Sequence, residues 1–266
     1  MEFGFCPLAS GSKGNAHLLC SAERKILIDA GLSMKACTER LASLGVHPSE
    51  LDGILVSHEH SDHIQGVGAL CNKYKLPVLA NAETAKEILK KCSKEPRFLI
   101  FSTGESFEFG DIEIRPFSTQ HDAVDPVMFT FHFAGIKLGV CTDLGFASTL
   151  VRQHLRDCDY LLLEANHRPS MVHACPRPMN YKQRVLGRSG HLSNEDAAAL
   201  LCEIAHPGLK HVYLAHLSEE CNSHEAALET VRTALTEKGI DLSLSIAYQK
   251  KVSLALEFDE ASRVLS

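Results

Sequence analysis

Short apolar runs alternate with helical patterns in the first third of the chain. Three of these runs are predicted to be buried strands, at residues 26–28, 53–56 and 77–80. Three helices are predicted between and after them, at residues 33–44, 64–74 and 82–92. Ser33 is the expected N-cap of the first helix, and Gly45 its stop signal. This order is typical of a sheet that carries helices on its face.

The middle of the chain contains strand-like runs with little helix between them. They are predicted at residues 98–101, 106–109, 111–117, 128–133 and 137–141. The alternation then returns, with helices at 147–156, 194–205 and 223–238 and strands at 160–163, 212–214, 242–246 and 252–256. No internal repeat or flexible linker interrupts the pattern. We therefore expect a single domain over 1–266, with sheets packed on each other and covered by helices.

Composition sets broad limits. The 266 residues are 45% hydrophobic and 23% charged, which predicts an ordered, soluble protein. The ten cysteines are scattered without C-x-x-C spacing, so we expect buried thiols in a reducing cytoplasm. The chain begins without a basic n-region and nowhere reaches the ~18 consecutive apolar residues of a membrane helix. The net charge of -6, taken alone, argues against a nucleic-acid partner.

A dense cluster of metal-ligand residue types follows the strand at 53–56. It reads His58-Glu59-His60-Ser61-Asp62-His63. In extended backbone, positions i and i+2 point the same way, so His58 and His60 can bind one metal together. Asp62 and His63 diverge from that pair, which suits a neighbouring second metal. Imidazole with carboxylate suits Zn, Fe or Mn.

Further candidates stand alone, each just after a strand-like run. They are Asp29, His121, Asp143 and His216. Polar side chains at strand ends are where sites are usually built. With the cluster, they supply enough donors for two coordination shells.

In this order, the residues resemble the five motifs of the metallo-β-lactamase superfamily. The resemblance implies a four-layer αβ/βα sandwich, an α/β (α+β) fold with a dinuclear site at one edge of two mixed sheets. It assigns His58, His60 and His121 to the first metal. It assigns Asp62, His63 and His216 to the second, with Asp143 bridging both and Asp29 supporting a ligand histidine. Asp at position 143, where zinc β-lactamases have Cys, resembles the glyoxalase II and nucleic-acid phosphodiesterase branches.

The segment from Ala165 to Asn194 bears on the substrate. Its formal charge is +5 with no acidic residue, so the rest of the chain carries -11 to give the net -6. A basic segment between two metal motifs fits a phosphate backbone. We expect an insertion or long loop at 165–190 without regular structure. The predicted phosphate-binding residues are Lys182, Arg184, Arg188 and Ser218. Glu164 is expected to support a ligand or cap a helix.

Four short segments sharpen the resemblance, at residues 9–15, 163–167, 190–194 and 215–218. They look like the YycJ/WalJ branch, which is described as 5′-to-3′ DNA exonucleases related to RNase Z and RNase J. The resemblance implies DNA in preference to RNA. It makes His191 a catalytic candidate beside Asp62, because His191 matches a histidine that RNase Z uses near the scissile phosphate. Arg168 stands where that branch suggests an acidic residue, which puts the role of His167 in question.

The resulting hypothesis is phosphodiester hydrolysis by a hydroxide that two divalent ions generate near neutral pH. His191 would hold a phosphate oxygen or protonate the leaving oxygen. No nucleotide cofactor is expected, because the turn at 10–14 does not match a phosphate-binding loop. Two alternatives remain open. One is a thiolester or lactone hydrolase on the same metals, and the other is a non-catalytic, DNA-associated regulatory protein.

Overall fold

Two seven-stranded sheets face each other in the computed structural model, which describes residues 1–258. The first sheet has the strand order β14-β1-β2-β3-β4-β5-β6 and the second β13-β12-β11-β10-β9-β8-β7. Strands of the first sheet are β1 Gly4–Ala9, β2 Ala16–Cys20, β3 Lys25–Ile28, β4 Gly53–Leu55, β5 Val78–Asn81, β6 Phe98–Phe101 and β14 Leu256–Glu257. Strands of the second are β7 Phe107–Phe109, β8 Ile112–Ser118, β9 Val127–Phe133, β10 Ile136–Cys141, β11 Tyr160–Glu164, β12 His211–Ala215 and β13 Leu244–Ile246.

The two sheets share one pairing pattern. In the first, β14 to β3 are joined by antiparallel pairs and β3 to β6 by parallel pairs. In the second, β7 to β10 pair antiparallel and β10 to β13 pair parallel. The sheets are therefore alike in topology, although the sequence has no detectable repeat.

Helices cover the outer face of each sheet. They are α1 Met34–Ala42, α2 Ser61–Ile64, α3 Val67–Tyr74, α4 Ala82–Lys91, α5 Thr149–Leu155, α6 Pro169–Ala174, α7 Met179–Leu186, α8 Asn194–Ile204 and α9 His224–Glu237. A 3-10 helix spans Pro48–Glu50. Helices α1, α3 and α4 pack on the first sheet, and α5, α8 and α9 on the second. The prediction of a four-layer αβ/βα sandwich is confirmed.

The core between the sheets is rich in aromatic side chains. Phe5 of the first sheet and Phe129, Phe131 and Tyr213 of the second are fully buried there. Alternate residues of the same strands face the helices, so both faces of the sheets are covered. Strands buried on both faces appear as continuous apolar runs, which is why most of them could be recognised.

The helix boundaries follow local capping chemistry. Ser33 accepts a hydrogen bond from the Ala36 amide, and Asn81 accepts one from the Thr84 amide, as expected of N-caps. The helix predicted over 64–74 is instead two helices, α2 and α3, which meet at Gln65 and Gly66. A Cβ on Gly66 would lie 2.3 Å from the Leu32 carbonyl oxygen, so this close backbone contact requires glycine.

Three sequence predictions differ from the structure. Strands β1 and β2 were not predicted, because Gly4, Pro7 and buried polar positions interrupt their apolar pattern. The segment 165–190 is not without regular structure, since it contains α6 and α7, and Pro169 occupies the first position of α6. The strand predicted at 252–256 is reduced to the two residues of β14.

The single domain over 1–266 stays a prediction, and its residues 259–266 lie outside the described part. Within residues 1–258, no helix is long and apolar enough to cross a membrane.

Candidate metal centre and active-site cleft

Side chains from both sheets converge where the parallel strands end. His58 follows β4, Asp143 follows β10, and His216 follows β12 directly. Asp29, Asp143 and His216 have positive φ angles of 57°, 53° and 54°. Non-glycine residues adopt this conformation at a cost of order 1–3 kcal/mol, and such strain concentrates at functional sites. The left-handed backbone conformation at these three residues therefore orients their side chains toward the site.

Three imidazoles form the first donor group. His60 Nδ1 lies 3.2 Å from His58 Nε2 and 3.2 Å from His121 Nε2. Nitrogens bound about 2.0–2.1 Å from one tetrahedral zinc are roughly 3.3 Å apart, so the observed spacing fits a shared metal. The structure thus brings together the three residues predicted for the first metal.

Asp62, His63 and His216 form the second donor group. Asp62 Oδ2 lies 3.6 Å from His63 Nε2 and 3.7 Å from His216 Nε2. Helix α2 carries Asp62 and His63, and His60 occupies its N-cap position. This short helix turns the end of the motif away from the first donor group, so one hexapeptide contributes to both groups.

Asp143 lies between the two groups. Its Oδ2 is 3.3 Å from His63 Nε2, and its Oδ1 is 3.6 Å from His121 Nε2. Asp143 Oδ2 and His216 Nε2 are buried without a hydrogen-bond partner among the described residues. A buried polar atom left unpaired costs about 1–3 kcal/mol, so such atoms call for an explanation. Divalent metals at these donors would satisfy both.

A buried carboxylate supports the donors of the first sheet. Asp29 Oδ2 lies 2.7 Å from His63 Nδ1, and Asp29 also accepts hydrogen bonds from the amide and hydroxyl of Ser57. Ser57 Oγ in turn lies 3.0 Å from His58 Nδ1. Occupying Nδ1 leaves Nε2 of each ring for a metal. Asp29 thus lies directly behind His63, one of the predicted metal ligands.

Glu164 supports the donors of the second sheet. It is fully buried, and its Oε1 lies 2.8 Å from His216 Nδ1 and 2.9 Å from His191 Nδ1. Its Oε2 accepts hydrogen bonds from the backbone amides of Leu144 and Leu192. One carboxylate therefore fixes a candidate ligand, a candidate catalytic histidine and two loops.

The buried charges balance each other. Burial disfavours the charged form of His63, yet Asp143 and Asp29 raise its pKa well above the ordinary value. Burial also opposes the charged form of His216, but Asp143, Asp62 and Glu164 together raise its pKa to about 10. Burial opposes ionisation of Glu164, but His191 and His216 lower its pKa to about 2. The carboxylates that raise these histidine pKa values would equally compensate the charge of bound cations.

The donor groups line a cleft of about 500 Å³. His191, Arg184 and Ser218 line the same cleft. His191 is partly exposed, and because its Nδ1 contacts Glu164, its Nε2 is left for a substrate. Arg184 Nε donates to Asp122 Oδ2 at 2.7 Å.

The other predicted basic residues have different partners. Lys182 Nζ donates to the His173 carbonyl oxygen, and the Arg188 guanidinium lies 4.3 Å from the centre of the Phe146 ring. Neither is among the described residues that line the cleft. Arg177 pairs with Glu220 on the surface. Acidic residues outside the segment 165–194 therefore neutralise part of its formal charge of +5.

His167 is buried away from the cleft lining. Its backbone carbonyl accepts a hydrogen bond from the Asn194 amide, and it forms a β-bridge with Ser193. The neighbouring Arg168 reaches α9, where it contacts Thr230 and Glu229. These contacts fasten the start of the 165–190 segment to α8 and α9.

Two polar residues at the site received no role from the sequence. Asn15 is fully buried, and its Nδ2 lies 3.0 Å from His63 Nε2 and 3.4 Å from Asp62 Oδ2. Gly11 and Gly14 predict a turn next to Asn15, but they do not predict that Asn15 contacts the candidate metal ligands. Lys91, at the end of α4, lines the cleft, and only the tertiary structure reveals this.

Residues 24–217 match the family model of the β-lactamase superfamily domain. The chain is 39% identical over 242 residues to the exodeoxyribonuclease YycJ of Bacillus anthracis, covering 90% of this chain and 91% of that protein. It is 38% identical over 251 residues to the exodeoxyribonuclease WalJ of Streptococcus pneumoniae serotype 2 strain D39, covering 93% of each.

A solved structure has the same fold. The metallo-β-lactamase fold protein YhfI from Bacillus subtilis aligns with a TM-score of 0.74 at 17% identity, covering 96% of this chain and 98% of that one. At this identity the likeness concerns the fold alone.

Proposed function

The chain belongs to the metallo-β-lactamase superfamily, and we propose that it is a dinuclear metal-dependent nuclease, specifically a 5′-to-3′ DNA exonuclease. The observation that carries the proposal is a pair of metal-donor groups with Asp143 between them, beside a cleft that His191 also lines. The relatives named exodeoxyribonucleases match over almost their whole length, which supports the choice of substrate.

The proposed ligands are those of the two donor groups. His58, His60 and His121 would hold one ion; Asp62, His63 and His216 would hold the other; and Asp143 would contact both. Zn, Mn and Fe all suit this set. Bound ions supply Lewis acidity and a water that ionises near neutral pH. Asp29 and Glu164 keep the ligand imidazoles in the required tautomer.

The remaining polar groups act on the phosphodiester. The geometry suits His191 to donate a proton from Nε2 to the leaving oxygen, while Nδ1 stays bonded to the Glu164 carboxylate. Arg184 and Ser218 line the cleft and would contact phosphate oxygens without reading sequence. Of the predicted basic residues, Lys182 and Arg188 then contribute charge at longer range.

The test is a cleavage assay with metal-reconstituted protein. Its substrates are 5′-labelled single-stranded and duplex DNA, the matching RNA, and a thiolester. We expect EDTA-sensitive release of nucleotides from the 5′ end of DNA, with slower cleavage of RNA. Thiolester hydrolysis without phosphodiester cleavage would favour the glyoxalase II-like alternative. Metal-dependent DNA binding without any hydrolysis would favour a regulatory role.

A further inference from the structure

A second cavity opens off the active-site cleft, between helices α3 and α4. Its volume is about 820 Å³, and it shares Ser12, Ser61, Asp62 and Lys91 with the cleft. Because these residues line both cavities, the two form one continuous concave surface that leads away from the candidate metals. We call this second cavity the side groove.

The charges along the side groove favour an anion. Lys13 and Lys91 line this cavity, and the only carboxylate among its described lining residues is that of Asp62, a candidate metal ligand. A cavity of about 730 Å³ on the other side of the cleft is different, because it is lined by two lysines and two glutamates, Lys250, Lys251, Glu219 and Glu225. Compared with that cavity, the side groove is better suited to a polyanion.

Lys91 is fixed at the junction of the cleft and the side groove. Its Nζ donates a hydrogen bond of 2.8 Å to the carbonyl oxygen of Glu59, the residue between His58 and His60. An ammonium has three donors, so this bond leaves two for a ligand. Lys13 pairs with Glu219, whereas Lys91 has no carboxylate partner within residues 1–258. Lys91 is therefore the positive charge in the groove that is available to a phosphate.

We propose that the side groove holds one strand of the nucleic acid beyond the scissile phosphate, and that Lys91 binds the next phosphate along that strand. The proposal rests on the proposed nuclease function and adds the path of the substrate. Cavities of about 300–1,000 Å³ hold ligands of drug size, so this one fits a short single strand and not a duplex. Gly68 and Ala69, on the α3 side of the groove, have small side chains that leave room for the strand. Asn72, on the same helix, has a side-chain amide that can hydrogen-bond to a base or sugar.

The first test uses substrate length. A dinucleotide has a single phosphodiester and cannot reach Lys91 with a second phosphate, whereas an oligonucleotide can. We expect Lys91→Ala to lower the ratio of kcat/KM for single-stranded DNA over the dinucleotide about tenfold, since a hydrogen bond to a charged group is lost. The slope of log binding constant against log salt should fall by about 1.

Lys90→Ala is the matched control, because it removes the same charge from the adjacent position. Lys90 pairs with Glu87 on the solvent side of α4 and does not line either cavity among the described residues. We expect this variant to keep the parent ratio. Equal ratios for Lys91→Ala and Lys90→Ala would overturn the role of Lys91.

A second pair of variants tests the groove without touching the cleft. Ala69 is exposed on α3 and lines the side groove but not the cleft. Ala69→Glu should lower the oligonucleotide-to-dinucleotide ratio several-fold, while Ala69→Lys should maintain or raise it. Thermal unfolding of both variants checks that they are folded. Identical ratios for the two charges would overturn the path along α3.

The two proposals fail in different ways. If the parent protein cleaves neither the dinucleotide nor the oligonucleotide with any metal, the nuclease function is wrong. If it cleaves both, and the ratio is unchanged in Lys91→Ala and Ala69→Glu, only the side groove is wrong.

Discussion

The two walls of the metal centre are built differently, although their sheets share one topology. The first-sheet wall takes its donors from a single hexapeptide, residues 58–63, whereas the second-sheet wall gathers Asp143 and His216 from distant strand ends. Each wall has one buried carboxylate that orients imidazoles, Asp29 in the first and Glu164 in the second. Asp29 contacts candidate ligands and their support, while Glu164 also contacts His191. Under the proposed function, the first wall would hold metal, and the second would link metal to substrate.

The largest effect is expected where the walls meet. Asp143→Asn removes the charge between the two donor groups, so we expect loss of metal and a fall in kcat on the order of a thousandfold, equivalent to several kcal/mol. Metal content by elemental analysis and DNA cleavage measure both quantities. Asp241→Asn, at an exposed position, is the control. Full metal content in Asp143→Asn would contradict the bridging position.

His191→Ala should separate turnover from metal binding. Because His191 contacts Glu164 but belongs to neither triad of proposed ligands, we expect kcat to fall about a hundredfold or more with unchanged metal content. Equal loss of metal and turnover would instead make His191 a ligand, and the distinction between the walls would disappear.

Exchanging the two supporting carboxylates for amides compares the walls directly. Such changes behind metal ligands typically cost about 10- to 100-fold in metal affinity or activity. We expect Asp29→Asn to lower metal affinity, with kcat recovering at saturating metal. Glu164→Gln should lower kcat even at saturating metal, because His191 loses its charged partner. Full recovery of Glu164→Gln at saturating metal would show that both carboxylates serve metal binding alone.

The smallest effect concerns stability beneath the first wall. His17 on β2 is fully buried, neither ring nitrogen has a described hydrogen-bond partner, and burial lowers its pKa to about 3. Below the unfolded value of about 6.5, the unfolded chain binds a proton that the folded chain does not, so stability falls as the pH falls from 6.5 towards 3.

The variant His17→Leu tests this linkage. At each pH, the measured quantity is the free energy of unfolding of the variant minus that of the parent. We expect this difference to be about 2 kcal/mol larger at pH 5 than at pH 7, since one unit of pKa shift corresponds to 1.36 kcal/mol. Urea unfolding of the metal-free variant and the metal-free parent, at pH 5 and at pH 7, gives these free energies. A difference that does not change with pH would mean that His17 titrates alike in the folded and unfolded chains, so that burial does not shift its pKa.

Local chemistry made much of the fold predictable. Strands such as β4 and β11 are continuous apolar runs because both of their faces are buried, and Ser33 and Asn81 mark helix starts by their own hydrogen bonds. Strands β1 and β2 lack this clarity. Their places after strand-like runs made His121, Asp143 and His216 candidates, but a resemblance was needed to assign them to metals, because no local pattern connects residues so far apart.

The basic residues show the limit of sequence reasoning. Lys182, Arg184 and Arg188 were equivalent in the sequence, yet α7 directs Arg184 to the cleft, while Arg188 lies over Phe146. No sequence pattern singled out Lys91, although in the folded protein it contacts the backbone of the 58–63 hexapeptide. Whether a charged side chain faces the cleft is decided only when the helix or loop that carries it packs against the rest of the molecule.

The sequence by itself indicated the layered architecture, the hexapeptide of candidate metal donors and the scattered positions of the cysteines, because periodicity, capping and ligand chemistry are local. The tertiary structure decided which candidate donors lie within reach of one another, that Glu164 contacts two histidines, and which cations face the cleft. The physical reason is that coordination and hydrogen bonding depend on distances of about 2–3 Å between atoms. Such distances between residues far apart in the chain are fixed only when both sheets have packed.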